Sequence, residues 1–425
     1  MRTVKLPFYL LIGFNLLTLL IFISGPFTSD SGNHLLAIGY ILVNLLFIWW
    51  GIKSGLRRGY KTTAIIRRYP LSDVSNRILS IYMVFFVATF LIKYAYELNV
   101  PVFDISGLVD RIIGGIFDPL LGYTRDRSYA SYSWSLYVLI SVFDGVFFIV
   151  GMLCWRKLSR FQKYLFVFLA IIESLKSMST GSSFGEIKMM TTLAMVYLAG
   201  MKNETIEKRR VGRILLYVLT IVFVTLLIFG HNMEGRAGGE FSDMTVEHFN
   251  FNTDSFINKY VISLFPMRIQ NLYVYICHYL NNGYYNLEYA FNCKFEWTYF
   301  LGSNDAKSHI FALLGFDVEP LNYQIKIFKE YGVDPYIYWH SCYTWIANDV
   351  SFFGVPIVMY FVGKFCASAL VMYRKHQDLL SGMVFVIFAN MIIFLFANNN
   401  YIANLFYSFI LVFPYWLFTR YFKER

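Results

Sequence analysis

Charge is scarce in this chain of 425 residues: Asp, Glu, Lys and Arg make up 15%, against 57% hydrophobic residues and a mean hydropathy of +0.49. A soluble domain carries about a quarter charged residues, so an ordinary soluble fold is excluded. Cysteine is scarce too. The five (Cys154, Cys277, Cys293, Cys342 and Cys366) show no metal-ligand spacing. Cys277 and Cys293 can pair on an oxidising side or stay free, and free thiols are the preferred reading. No His/Cys/Asp cluster has zinc spacing, and no Walker, dinucleotide or nucleophile-elbow motif is present. No metal and no cofactor is therefore expected. Neither internal repeats nor low-complexity segments occur, which weighs against transporters built from two inverted halves.

What is there is a series of apolar stretches near the roughly 20 residues a helix needs to cross a bilayer. They predict an all-α polytopic integral membrane protein with about ten transmembrane helices. Spans are expected at 6–23, 35–52, 78–96, 134–154, 214–230, 382–397 and 402–418, and from the stretch around residue 350 to Met372. Residues 164–178 and 187–200 are two shorter arms of a hairpin. The run after Arg2 and Lys5 is too long for a signal peptide and reads as an uncleaved anchor. Between spans, residues 100–133 hold an amphipathic segment. Its core, Ile105 to Ile116, has apolar residues at helical spacing behind a capping Asp104, which predicts a helix lying flat on the outer surface. Three sections follow: 1–230 with seven spans, 231–338 as one large outer-face loop subdomain, and 339–425 with three spans.

Charge sets the orientation. The formal net charge of +10 does not imply a nucleic-acid partner, because it is unevenly distributed. The inner pieces hold 23 of the 37 Lys and Arg and only five acids, whereas residues 231–338 hold seven bases against twelve acids. The positive-inside rule then places both termini in the cytoplasm, and the basic balance reflects topology and affinity for anionic lipid. Near the hairpin tip, Glu173, Lys176, Glu186 and Lys188 read either as two salt bridges or as a polar funnel. Asp144 lies near mid-span, where a lysine partner is expected.

The stretch Tyr338 to Gly354 concentrates polar groups where the long outer segment meets an apolar run. Charged groups entering a membrane are costly and usually functional. His340 is a candidate base or anion ligand, and equally an interfacial histidine beside Trp339. Asp349 can orient or deprotonate a hydroxyl, or serve as a cap or a partner for Lys364 or Lys93. On one continuous helix, nine residues would put His340 and Asp349 on opposite faces, so either the histidine sits in an extended lead-in or the two do different jobs. Arg236, in Gly235-Arg-Ala-Gly-Gly239, and Arg268, after Pro266, are candidate anion ligands, each balanced against a snorkelling interface role. Trp339, Trp345 and Tyr275 are candidate stacking rings for a ligand.

The run from His340 to Gly354, closing a long outer loop before a span, resembles the corresponding segment of Wzy-type O-antigen and capsule polymerases. Thr180 to Gly185, Thr-Gly-Ser-Ser-Phe-Gly, is similar to the family's Thr-Gly-Ser-Arg-Gly turn but lacks its Arg. The resemblance implies a GT-C-like membrane glycosyltransferase in the bacterial cytoplasmic (inner) membrane. It would polymerise undecaprenyl-diphosphate-linked oligosaccharide repeat units by moving the growing glycan onto the incoming unit. His340 and Asp349 would be catalytic, and Arg236 and Arg268 would hold the diphosphate. Membrane lipids and a polysaccharide chain-length regulator are the partners this implies. Alternatives are an O-antigen ligase-type transferase, a flippase for the same lipid-linked sugar, and a structural or sensory membrane protein.

Overall fold

The structure, a computed structural model, describes residues 2–61, 69–97, 104–118, 120–121, 146–179, 184–201, 226–235, 250–251, 256–303, 311–312, 314–335, 338–397 and 412–420. The helices are α1 (Arg2–Ser24), α2 (His34–Lys61), α3 (Asn76–Glu97), α4 (Ile105–Phe117), α5 (Arg160–Ser179), α6 (Phe184–Gly200), α7 (Phe256–Tyr260), α8 (Met267–Ala290), α9 (Tyr323–Tyr331), α10 (Cys342–His376) and α11 (Leu379–Ile393). Residues 146–153, 226–235 and 412–420 are also helical. Among the described residues the strands are β1 (Phe27–Thr28) and β2 (Asn250–Phe251), paired antiparallel. Among the described residues, four helices are long and apolar enough to cross a membrane: Val4–Ser24, His34–Arg57, Asn76–Lys93 and Cys342–His376. The protein is thus a helical, membrane-embedded chain. Arg236, Asp144 and residues 180–183 lie outside the described residues.

Local chemistry explains several boundaries. Asp104 caps α4 by accepting from the Gly107 N–H at 2.9 Å. Pro266 separates α7 from α8, and Gly332, at φ 75°, ends α9. The basic residues Lys53 and Arg57 belong to α2, which runs past the expected end of its span.

The chain divides into two compact units, Tyr69–Thr245 with Met1–Thr3, and Val4–Arg68 with Val246–Arg425. These differ from the sections marked by hydropathy: the first two helices belong with the late outer segment and the last spans. In the first unit, Met83, Phe86, Phe90, Phe147, Phe166 and Leu169 form the core. Lys93 pairs with Glu173 at 3.7 Å, and the Ser177 hydroxyl donates to Glu186 at 2.8 Å. Glu173 thus reaches across to α3, beyond the hairpin.

In the second unit α2 lies against α10. A Cβ added at Gly51 would stand 2.0 Å from the Tyr360 carbonyl oxygen, and one at Gly55 2.2 Å from that of Lys364. Opposite them, Gly363 meets the Ile48 carbonyl. This spacing of small residues lets two backbones touch, as membrane helix pairs do without a hydrophobic drive. All five cysteines, Cys277 and Cys293 included, are buried free thiols.

Candidate functional site

The second unit brings three segments together at one end of α10. Its helix begins at Cys342 with Ser341 as N-cap, so His340 lies in an extended lead-in. Gly283 of α8 touches this lead-in: an added Cβ would fall 2.8 Å from the Ser341 nitrogen and 2.1 Å from the Phe396 carbonyl oxygen. The Cys342 N–H donates to the Leu395 carbonyl at 3.0 Å, which closes the third segment onto the same point. Asn286, one turn along α8, donates to the Trp339 carbonyl at 2.8 Å. The rings of Tyr279 and Trp339 meet edge to face at 4.2 Å.

The second half of α8 is unusual for its polarity. Residues 281–290, Asn-Asn-Gly-Tyr-Tyr-Asn-Leu-Glu-Tyr-Ala, are all buried. Most of its polar groups have partners far away in sequence. Glu288, fully enclosed, accepts from the hydroxyls of Ser29 and Ser31 and contacts His34 Nδ1 at 2.8 Å. The Tyr285 hydroxyl donates to the Phe27 carbonyl at 2.9 Å, and that of Tyr284 shares a 3.2 Å hydrogen bond with Thr18.

Against this background one set of groups stands out. His340 is 1% exposed, and neither of its ring nitrogens has a hydrogen-bond partner among the described residues. The same is true of both ends of the Asn281 amide, the Tyr343 hydroxyl, and the indole nitrogens of Trp339 and Trp345. Buried polar groups are hydrogen-bonded in the great majority of cases, and each exception calls for a reason. These atoms come from two segments that meet at Gly283. Burial, with no charged neighbour to offset it, pushes the His340 imidazole from its ordinary 6.5 down to about 3. At pH 7 the imidazole is then neutral. These groups are therefore neutral: N–H and O–H donors, and an imidazole that can both donate and accept.

Asp349 occupies a different place. It lies inside α10, and its carboxylate accepts from the Thr298 hydroxyl at 2.7 Å, the Gly302 N–H at 2.8 Å and the Ser303 N–H at 3.2 Å. The preceding Asn348 donates to the Gly302 carbonyl and to Gln324, both at 2.9 Å, and accepts from the Tyr323 N–H. These two residues clamp the 298–303 turn and α9 onto the head of α10. His340 and Asp349 thus have separate surroundings.

The helix breaks two residues later. Ser351 sits at φ 60°, ψ 168°, a region nearly reserved for glycine that costs about 1–3 kcal/mol. Pro356 lacks the N–H that would bond the Phe352 carbonyl, and the Tyr40 hydroxyl donates there instead at 2.8 Å.

Of the remaining candidates, Trp345 and Tyr275 are buried, Trp339 is half-buried, and Arg268 is exposed in the first turn of α8. Asn281 and Tyr343 were missed from sequence. The signal for Asn281 was a polar run at helical spacing, Asn281, Tyr284, Tyr285 and Glu288, in a segment that reads as surface; Tyr343 carried none of its own. Set against family models, curated proteins and solved structures, the chain matches none.

Proposed function

We propose that this protein is a membrane glycosyltransferase that joins lipid-diphosphate-linked oligosaccharide units, with the sugar hydroxyls received by the His340 lining. One observation carries the reading: the unpartnered, uncharged hydrogen-bonding groups of Asn281, Trp339, His340, Tyr343 and Trp345, enclosed at the head of a membrane-crossing helix. Neutral donors and acceptors among aromatic rings suit hydroxyl groups. A site that leaves such groups unmet when empty gains most from a ligand that meets them.

In this reading His340 accepts the proton of the acceptor hydroxyl. The acceptor oxygen bonds to the anomeric carbon of the growing glycan as the bond to the diphosphate breaks, and the diphosphate leaves with the electron pair. Arrival of the anionic diphosphate raises the proton affinity of the imidazole, since an opposite charge favours the cation. Arg268 lies fifteen residues before Gly283 on α8, about 22 Å along its axis, so it meets only a distal part of the lipid-linked donor. Asp349 is a positioning residue. In this reading the site faces the outer side of the bacterial cytoplasmic membrane with both termini inside, which the basic charge of the inner pieces supports.

The test is reconstitution of the full chain in liposomes with an undecaprenyl-diphosphate oligosaccharide. A glycan ladder from the native protein, reduced at least about a hundredfold by His340→Phe, is the expected result. No ladder, with labelled substrate instead crossing between leaflets, would replace the transferase by a flippase. A ladder unchanged in His340→Phe would move the chemistry away from this lining.

A further inference from the structure

The turn held by Asp349 carries a feature that the chemistry does not use. Trp297, Tyr299 and Phe300 are 47%, 62% and 58% exposed, although their rings touch one another at 4.8 and 5.5 Å. The Leu301 N–H closes the turn on the Thr298 carbonyl at 2.9 Å. Both central residues, Tyr299 and Phe300, have positive φ, 55° and 63°. Turns of this kind favour Asn-Gly, because bulky side chains are strained there. The chain instead holds two large aromatic side chains at the tip. The base is rigid: Thr298 is fully buried and bonded to Asn348 and Asp349, and Gly302 is bonded to the same pair.

The position of that base identifies what the tip meets. Asp349 lies two residues before the break at Ser351, where the outward stripe of α10 begins with Phe353, Ile357 and Phe361. Phe353 is 93% exposed, as a side chain facing lipid would be. The aromatic tip is thus tethered to α10 just before the outward apolar stripe of that helix begins. Lys294, exposed at the near end of the same segment, suits headgroup phosphates. Trp and Tyr concentrate at this depth, where a ring can lie in the apolar edge with its polar atom in the headgroups.

We propose that residues 295–300 form a membrane-interface anchor, in which Trp297, Tyr299 and Phe300 insert into the phospholipid leaflet at the site end of α10. The anchor fixes the head of α10, and with it the His340 lining, at a set depth relative to the headgroups. It goes beyond the transferase reading and stands whether or not glycan is made.

All five native cysteines are buried, so a nitroxide can be placed selectively on Phe300→Cys. The full chain is reconstituted in phosphatidylethanolamine–phosphatidylglycerol vesicles, and collision of the label with oxygen is compared with a water-soluble nickel chelate. Oxygen favoured several-fold is expected. Nickel favoured would place the tip in water and overturn the anchor. A label shielded from both would mean that protein covers the tip and would also overturn it. If labelling perturbs the turn, Trp297 provides a second measurement. Brominated lipid should quench a component of the native fluorescence that Trp297→Phe removes. Quenching of that component by aqueous iodide instead would overturn the proposal.

Discussion

Two stretches at the head of α10 are close in sequence and similarly buried, yet they treat polar groups in opposite ways. In residues 348–349, amide and carboxylate reach neighbours in the 298–303 turn and in α9. Eight residues earlier, His340 has both ring nitrogens unmatched, and Tyr343 and Trp345 add two more such groups. A folding requirement explains the first arrangement. It cannot explain the second, because an apolar side chain of the same volume would serve the fold as well or better. The difference separates groups that hold the head of α10 together from groups whose burial the fold does not explain.

The comparison breaks most visibly at Asp349. Asp349→Ala leaves the Gly302 and Ser303 N–H groups without their acceptor. A loss of about 2–5 kcal/mol is expected, read as a lower melting temperature in lipid nanodiscs. Asp349→Asn keeps an acceptor oxygen and should lose about half as much. If Asp349→Ala melted like the native protein while abolishing glycan transfer, the clamp assignment would be wrong and the carboxylate would be catalytic.

His340 should respond with the opposite sign. His340→Phe removes two unsatisfied nitrogens at similar volume, so stability should hold or rise by about 1 kcal/mol while transfer collapses. Acid adds a sharper measurement. The unfolded chain takes up the imidazole proton near 6.5, the folded chain only near 3. Below 6.5 the unfolded state therefore binds more protons, and folding stability falls as the pH falls toward 3. The expected slope is about 1.4 kcal/mol per pH unit. Above 6.5 this residue contributes no slope. The difference between the native and His340→Phe stability curves isolates the contribution, and a zero difference across that window would mean that His340 is not enclosed.

Much of this architecture is legible in the residues. Apolar runs locate the helices, Asp104 and Gly332 mark ends, and Pro266 marks a break, because each acts within one turn of itself. The seam of Gly51, Gly55 and Gly59, small residues four apart, was missed. The second half of α8 was not legible. Asn281 through Glu288 reads as a wet surface, and its partners, Thr18, Phe27, Ser29, Ser31 and His34, lie some 250 residues earlier. The break at Ser351 also leaves no local sign, since serine is not the residue that conformation favours. For the site, His340 was visible as a lone histidine at a membrane boundary. That its neighbours leave it unmatched depends on the meeting of α8, the lead-in and residues 395–396, which no local pattern encodes.

The smallest expected effects give the most controlled version of the comparison, because two tyrosines can undergo the same change. Tyr40 and Tyr343 pack ring to ring at 6.1 Å. The Tyr40 hydroxyl serves the Phe352 carbonyl that Pro356 leaves without a helical donor; that of Tyr343 serves nothing among the described residues. Tyr40→Phe should therefore cost about 1 kcal/mol, the usual net worth of one hydrogen bond plus part of the penalty for an unmet carbonyl. Tyr343→Phe should cost nothing in stability and should weaken substrate use instead. Equal destabilisation in the two variants would show that Tyr343 has a structural partner, and the unmatched lining would lose a member. Unequal values, with activity moving the other way, would separate fold from function by a single oxygen atom on neighbouring rings.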